Sequence, residues 1–202
     1  MVMPLRIIAV TGGIATGKSS VCQALSRALG CPQLDCDQAV HHLLRDPAVA
    51  GQVGALFSGV VLTSGGIDRT ALARRIFSDE EERKRLEGLL HPLVRERISR
   101  WMEEEAGNGA TTGIVEVPLL YEVDFPLKRV VDVVVSCSEW NQIERLRLRG
   151  GAAEGLQARI AAQWSLQEKM ARANVVIWNE GGLGLLSRLV ALAVDRIHPL
   201  IS

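Results

Sequence analysis

The stretch RIIAVTGGIATGKSS, Arg6 to Ser20, contains Gly12-x-x-x-x-Gly17-Lys18-Ser19, the spacing of a phosphate-binding loop. A short apolar run, Arg6 to Val10, leads in. Val21, Ala24, Leu25, Ala28 and Leu29 lead out at the spacing of one helix face. Strand, glycine loop and helix in that order constrain the fold, because the loop works only if the following helix directs its unsatisfied amides at an anion. The glycines bring backbone N–H groups against phosphate oxygens without a side chain in the way. Lys18 then supplies a point charge for the β- and γ-phosphates, and Ser19 a hydroxyl for Mg²⁺. Ala15 stands where a further glycine would turn the chain most easily.

At 202 residues the chain is long enough for one α/β domain with an inserted part. A formal net charge of +0 gives no reason to expect a nucleic-acid or membrane surface as partner. No segment reaches the roughly 18 uninterrupted apolar residues of a membrane span. The start, MVMPLRIIAV, lacks the basic region of a signal peptide. Cys22, Cys31, Cys36 and Cys137 have neither a C-x-x-C spacing nor a histidine at zinc-ligand distance, so they read as reduced thiols of a cytoplasmic protein. Lysine occurs only at 18, 84, 128 and 169. The remaining basic residues are arginine, an excess that high-GC coding bias explains.

Strands are expected at 6–10, 33–35, 113–117, 130–135 and 174–178, separated by helical segments. This is the pattern of a parallel sheet covered on both faces. Asp35 and Asp37, at i and i+2 on the end of the second strand, should share one face near the phosphates. At least one of them is expected to act in catalysis, as a general base in phosphoryl transfer. Residues 38–106 read as a mostly helical insertion, with Leu86, Leu89, Leu90, Leu93, Val94, Ile98 and Trp101 on one stripe and Pro92 kinking or restarting the helix. Gln142, Arg145 and Arg149 lie on one helical face before Gly150-Gly151, with Arg159 and Gln163 beyond. That suits a hinged lid over 141–173. Its arginines are expected to meet phosphate only after closure, their segment being mobile or standing away from the loop without ligand.

Taken together, TGGIATGKSS (11–20), LDCDQAVHHLL (34–44), LEGLLHPLVRERI (86–98), VPLLYE (117–122), QIERLRLR (142–149) and RIAAQWSLQEKMARANVVIWNEG (159–181) resemble the dephospho-coenzyme A kinases. The resemblance covers nearly the whole chain. It implies an α/β P-loop kinase fold, a five-stranded parallel sheet flanked by helices. The single domain would have a core of 1–37, 113–140 and 174–202, an acceptor-binding insertion and a lid. The implied substrates are ATP with Mg²⁺ and dephospho-CoA, phosphorylated on its ribose 3′-hydroxyl. Gly12, Gly13, Ile14, Ala15, Thr16, Gly17, Lys18, Ser19 and Ser20 would bind ATP, with Mg²⁺ at Ser19. Asp37 would be the base with Asp35 beside it, and Lys18 and Arg149 would act on the transferring phosphate. Arg145 belongs to the lid, and Asn179 would lie near the adenine. His91, Arg95, Leu119, Leu120 and Glu122, with Asp37, would border the coenzyme precursor. A monomer, with at most weak self-association, is expected. Two departures stand out: Ala15-Thr16 replaces the commoner Gly-Ser, and Asn174 stands where the family usually has aspartate.

Other readings require other residues. A nucleoside monophosphate or small-metabolite kinase would keep the loop and the lid arginines without needing the His-Pro helix or VPLLYE. A GTPase switch needs D-x-x-G and N-K-x-D, and neither occurs.

Overall fold

Each of the five apolar runs forms a strand: β1 (Arg6–Gly12), β2 (Gln33–Asp35), β3 (Thr112–Glu116), β4 (Val131–Ser136) and β5 (Val175–Trp178). All pair in parallel, in the order β2-β3-β1-β4-β5. The computed structural model describes residues 4–62, 66–123, 125, 127–148, 160 and 163–202. Among these, eight helices accompany the strands: α1 (Lys18–Leu29), α2 (Cys36–Leu43), α3 (Pro47–Leu56), α4 (Arg69–Ser78), α5 (Glu80–Gly107), α6 (Glu139–Leu148), α7 (Leu166–Arg172) and α8 (Leu183–Ile201).

Two compact units result, Met1–Asp35 with Trp101–Ser202, and Cys36–Arg100. In the first, Ile8, Val10, Val133, Val135, Val175 and Ile177 share a core with Val21 and Leu25 of α1 and with Leu186, Val190 and Ile197 of α8. The sheet is thus sealed on this face by the helix that follows the phosphate loop and by the C-terminal helix. Fully burying one such aliphatic side chain contributes about 1.5–3 kcal/mol. That fixes β1 and α1 as rigid supports for the loop between them.

Asn174 has a local explanation. Its Oδ1 accepts the Asp132 N–H at 2.8 Å, and its own N–H donates to the Asp132 carbonyl at 2.9 Å. An aspartate could accept the same bond, so the departure leaves the entry to β5 intact. Asp132 itself is held by Arg129 at 2.5 Å and by the Tyr121 hydroxyl at 3.1 Å.

The second unit has its own core, including Val49, Val53, Phe57, Ile67, Leu72, Leu86 and Leu90. Asp46 caps α3 through the Ala48 N–H, with Pro47 at the first helical position, where its missing N–H costs nothing. Asp68 caps α4 by accepting from Thr70 and Ala71. Between α3 and α4 an isolated antiparallel bridge joins Val61 and Ile67. Pro92 does not restart the helix, because α5 is assigned continuously through it. The residue whose carbonyl opposes the proline ring is Gly88, which lets that turn adjust at least steric cost.

One boundary changes the reading of the paired acids. β2 ends at Asp35 and α2 begins at Cys36, so Asp37 lies in the first helical turn rather than on a strand face with Asp35. As a short edge strand, β2 has only β3 to pair with, and its ladder stops at Asp35 opposite Glu116.

Candidate active site

Gly12 still belongs to β1, paired with Val135 of β4. Its φ is +149°, and a Cβ there would lie 2.1 Å from the Val135 carbonyl oxygen, so only glycine fits. Gly17, at φ +92°, turns the chain into α1; a Cβ there would come within 2.3 Å of Asn179 Nδ2. Between them Ala15 takes φ +56°, the one positive φ outside glycine among the described residues. Its methyl packs with Leu146 of α6 and with Ile14.

Five consecutive loop carbonyls each accept a side-chain donor. The Gly12 oxygen takes Lys18 Nζ at 3.5 Å and Lys169 Nζ at 3.3 Å. Gly13 takes Lys18 Nζ at 2.8 Å and the Thr16 hydroxyl at 2.9 Å. Ile14 takes Gln142 Nε2 at 2.7 Å, and Ala15 takes Arg145 at 3.4 Å. Thr16 takes Arg145 at 3.1 Å and Asn179 Nδ2 at 2.9 Å. In a trans peptide the N–H points opposite to the C=O it is joined to. Holding the oxygens therefore turns the amides joined to them the other way; the Ile14 N–H is taken by Gln163, and the amides that follow it toward α1 are the ones left to receive an anion.

Arg145 departs from expectation. Without ligand it does not stand away from the loop, because its guanidinium spans the Ala15, Thr16 and Asn179 carbonyls. The start of α6 is held in turn by Glu180, which accepts from the Ser138 backbone, the Ser138 hydroxyl and Asn141. The Ser138 N–H leads in keeping that carboxyl below its ordinary range. Gln163 accepts the Ile14 N–H at 3.0 Å, so the amide and carbonyl of Ile14 are bound by glutamines from opposite ends of the lid stretch. Arg149, Gly150, Gly151 and Arg159 lie outside the described residues.

On the other side of Lys18, Ser19 donates to Glu116 Oε1 at 3.0 Å. Glu116 is buried at the end of β3, and register sets it opposite both Val10 and Asp35. Cys22, one turn after Ser19, feels the same cluster. Burial pushes its thiol far above the ordinary range, the charge and hydrogen bond of Glu116 and the charge of Asp35 push the same way, and Lys18 opposes them. This acid was not singled out in the sequence, although an acidic residue at the loop end of a buried strand is a usable signal. Ser20 is exposed in the first turn of α1.

Asn179 is 6% exposed and supports the loop directly. In the Pro118–Glu122 segment, Leu119 is 37% exposed and Leu120 1%, so only Leu119 presents its side chain outward. Glu122 Oε1 pairs with Lys169 Nζ at 2.6 Å and accepts the Trp164 N–H at 3.2 Å. In the second unit, Asp37 is exposed on α2, and His91 and Arg95 follow at i and i+4 on α5, sharing a face.

The strain at Ala15 predicts a measurable contrast. Relief of a left-handed alanine is worth about 1–2 kcal/mol. Ala15→Gly also frees the unfolded chain by about 0.4–1 kcal/mol and loses a buried methyl of about 0.8 kcal/mol. Stability should therefore stay within about 1 kcal/mol of wild type. Ala15→Val should lose about 2–4 kcal/mol, from backbone strain and overpacking together. Urea denaturation measures both, and a valine variant as stable as the glycine one would contradict the backbone assignment.

A family model described as dephospho-CoA kinase matches residues 6–184. The dephospho-CoA kinase of Geobacillus kaustophilus is 41% identical over 179 residues, 86% of this chain and 88% of that protein. That of Symbiobacterium thermophilum is 42% identical, over 89% of this chain and 76% of that protein. The crystal structure of a Thermus thermophilus protein superposes with a TM-score of 0.81 at 35% identity, covering 96% of this chain and 98% of that one. With the phosphate loop, the parallel sheet and these matches in agreement, the chain belongs to the dephospho-CoA kinase family.

Proposed function

We propose that this protein transfers the γ-phosphate of ATP to the ribose 3′-hydroxyl of dephospho-CoA, the last step in making coenzyme A. The observation that carries phosphoryl transfer is the loop whose five successive carbonyls are held by side chains, leaving an anion nest at the start of α1. The acceptor follows from family membership.

The donors near Ser19 suit Mg²⁺: a hydroxyl and two carboxylates, Glu116 and Asp35, all hard oxygen ligands. Among the described residues no group of three or more His, Cys, Asp or Glu is arranged to hold a metal. When bound, Mg²⁺ neutralises charge on the phosphates.

The chain's own residues do the rest. Lys18 exchanges the Gly13 carbonyl for phosphate oxygens. Arg145, and Arg149 four positions on in the sequence, supply forked donors from the lid. Asn179 fixes the loop carbonyl at Thr16 beside the adenine. Asp37 orients the hydroxyl and accepts its proton, with Asp35 on the metal side. His91, Arg95, Leu119, Leu120 and Glu122 border the coenzyme precursor. We read the chain as one kinase domain, with a core, an acceptor-binding insertion at 38–106 and a lid at 141–173. We propose that it acts in the cytoplasm as a monomer with at most weak self-association. Among the described residues no helix is long and apolar enough to cross a membrane.

Incubation with Mg-ATP and dephospho-CoA should yield coenzyme A and ADP. Phosphorylation of AMP or another small acceptor, with dephospho-CoA untouched, would refute the proposed acceptor.

A further inference from the structure

Lys169 is the most enclosed charge among the described residues, 0% exposed at the middle of α7. A buried ammonium is costly unless every N–H finds an acceptor and the charge a counter-ion. Here three acceptors meet three N–H groups: Glu122 Oε1 at 2.6 Å, the Gly12 carbonyl at 3.3 Å and the Pro118 carbonyl at 3.3 Å. Thr11 donates to the same Pro118 oxygen at 3.2 Å. The group thus joins three chain segments: the first glycine of the phosphate loop, the turn after β3, and the helix that returns from the lid.

The Gly12 carbonyl has two ammonium donors, Lys169 and Lys18. Lys18 must leave it to reach phosphate. We propose that Lys169 is a positioning residue for phosphoryl transfer. Its ammonium, neutralised by Glu122, keeps the Gly12 peptide oriented when Lys18 moves to the nucleotide. The same contact ties the return of the lid to the loop. The proposal rests on the kinase reading above and adds a residue to it. Lys169 touches no reacting atom; it acts through the Gly12 peptide, whose rotation would swing the loop amides beyond it. Misplacement of a catalytic framework by about 1 Å costs about 10²-fold in rate.

The test must separate that role from plain burial of an ion pair. Lys169→Met leaves Glu122 buried without its cation, and should lower both Tm and kcat. Lys169→Met with Glu122→Gln removes both charges together, and neutral replacement of a buried pair is often tolerated. The glutamine can still accept the Trp164 N–H. In this double variant Tm should return most of the way to wild type, while kcat stays about 10²-fold low. Measured against Glu122→Gln alone, KM for dephospho-CoA should change less than kcat. Glu122→Gln alone keeps Lys169 on Gly12; because Glu122 is also placed beside the coenzyme precursor, this single variant is the reference, and adding Lys169→Met to it should lower kcat by a further factor of about 10². Lys169→Arg should not rescue, because the three acceptors converge on one nitrogen, whereas a guanidinium is larger and spreads its donors over a plane.

If kcat recovers together with Tm in the double variant, Lys169 serves only to balance Glu122 and the proposal is overturned. It is equally overturned if Glu122→Gln alone matches the double variant, or if neither lysine variant yields folded protein. Wild type assayed in parallel separates the two levels of claim. Normal kcat in the variants beside an active wild type refutes the role of Lys169 alone. A wild type without turnover refutes the kinase reading and this proposal with it.

Discussion

Lys18→Ala should reduce kcat by about 10³–10⁵, the scale on which a single cation acts on a transferring phosphoryl group, while leaving the fold in place. In the ligand-free loop Lys18 donates to the Gly13 carbonyl at 2.8 Å and more weakly to Gly12 at 3.5 Å. Neither oxygen is orphaned by its loss. The Thr16 hydroxyl still donates to Gly13, and Lys169 to Gly12. The net contribution of one such hydrogen bond is about 0.5–1.5 kcal/mol. Alanine is also the best helix former at the start of α1. Stability should therefore change by about 1 kcal/mol or less, and the loss should fall almost wholly on the chemical step. Single-turnover rates with saturating Mg-ATP, set beside thermal unfolding, measure the two separately. A variant within tenfold of wild type would remove Lys18 from the mechanism.

The same lysine shows how much of this site could be read in advance. The loop, the five strands and the capped helices α3 and α4 depend on residues close in sequence, so periodicity and turn chemistry locate them. The contacts holding the loop carbonyls do not. Gln142 reaches Ile14 across 128 positions, and Lys169 reaches Gly12 across 157. Such pairings appear only once the sheet order brings β1, β3 and β4 together. A faint signal existed for Lys169. It is one of only four lysines in a chain that otherwise uses arginine, and a site needing three convergent donors selects the ammonium. Arg145 was assigned to the lid from its spacing with Gln142 and Arg149. Helical spacing places residues on a common face but does not say what that face touches before ligand arrives. The strand-face pairing of Asp35 and Asp37 failed for a related reason. Three residues suffice for β2 because β3 is its single neighbour, and the chain turns helical one residue before the second acid.

That correction sharpens the test of the general base. Asp35 ends an edge strand and stands in register with Glu116, which accepts the Ser19 hydroxyl. It therefore belongs with the groups proposed to surround Mg²⁺. Asp37, exposed in the first turn of α2, opens the helical unit whose α5 carries His91 and Arg95. Its carboxylate is thus carried by a different element from the metal side, where an approaching ribose hydroxyl could be oriented. The phosphoryl-transfer transition state is loose, so the acid chiefly positions that hydroxyl and takes its proton late. Asp37→Asn keeps the shape and a hydrogen-bonding group but loses the proton acceptor, and kcat should fall by about 10²–10⁴. The acidic limb of its pH–rate profile should vanish, because no carboxylate remains there to be protonated. Asp35→Asn should keep that limb and instead demand more Mg²⁺ for half-maximal rate. Both profiles are measured at saturating Mg²⁺ and ATP, with the metal titration run separately. If the limb persists in Asp37→Asn and disappears in Asp35→Asn, the strand-end acid is the base and the helix acid serves only to bind.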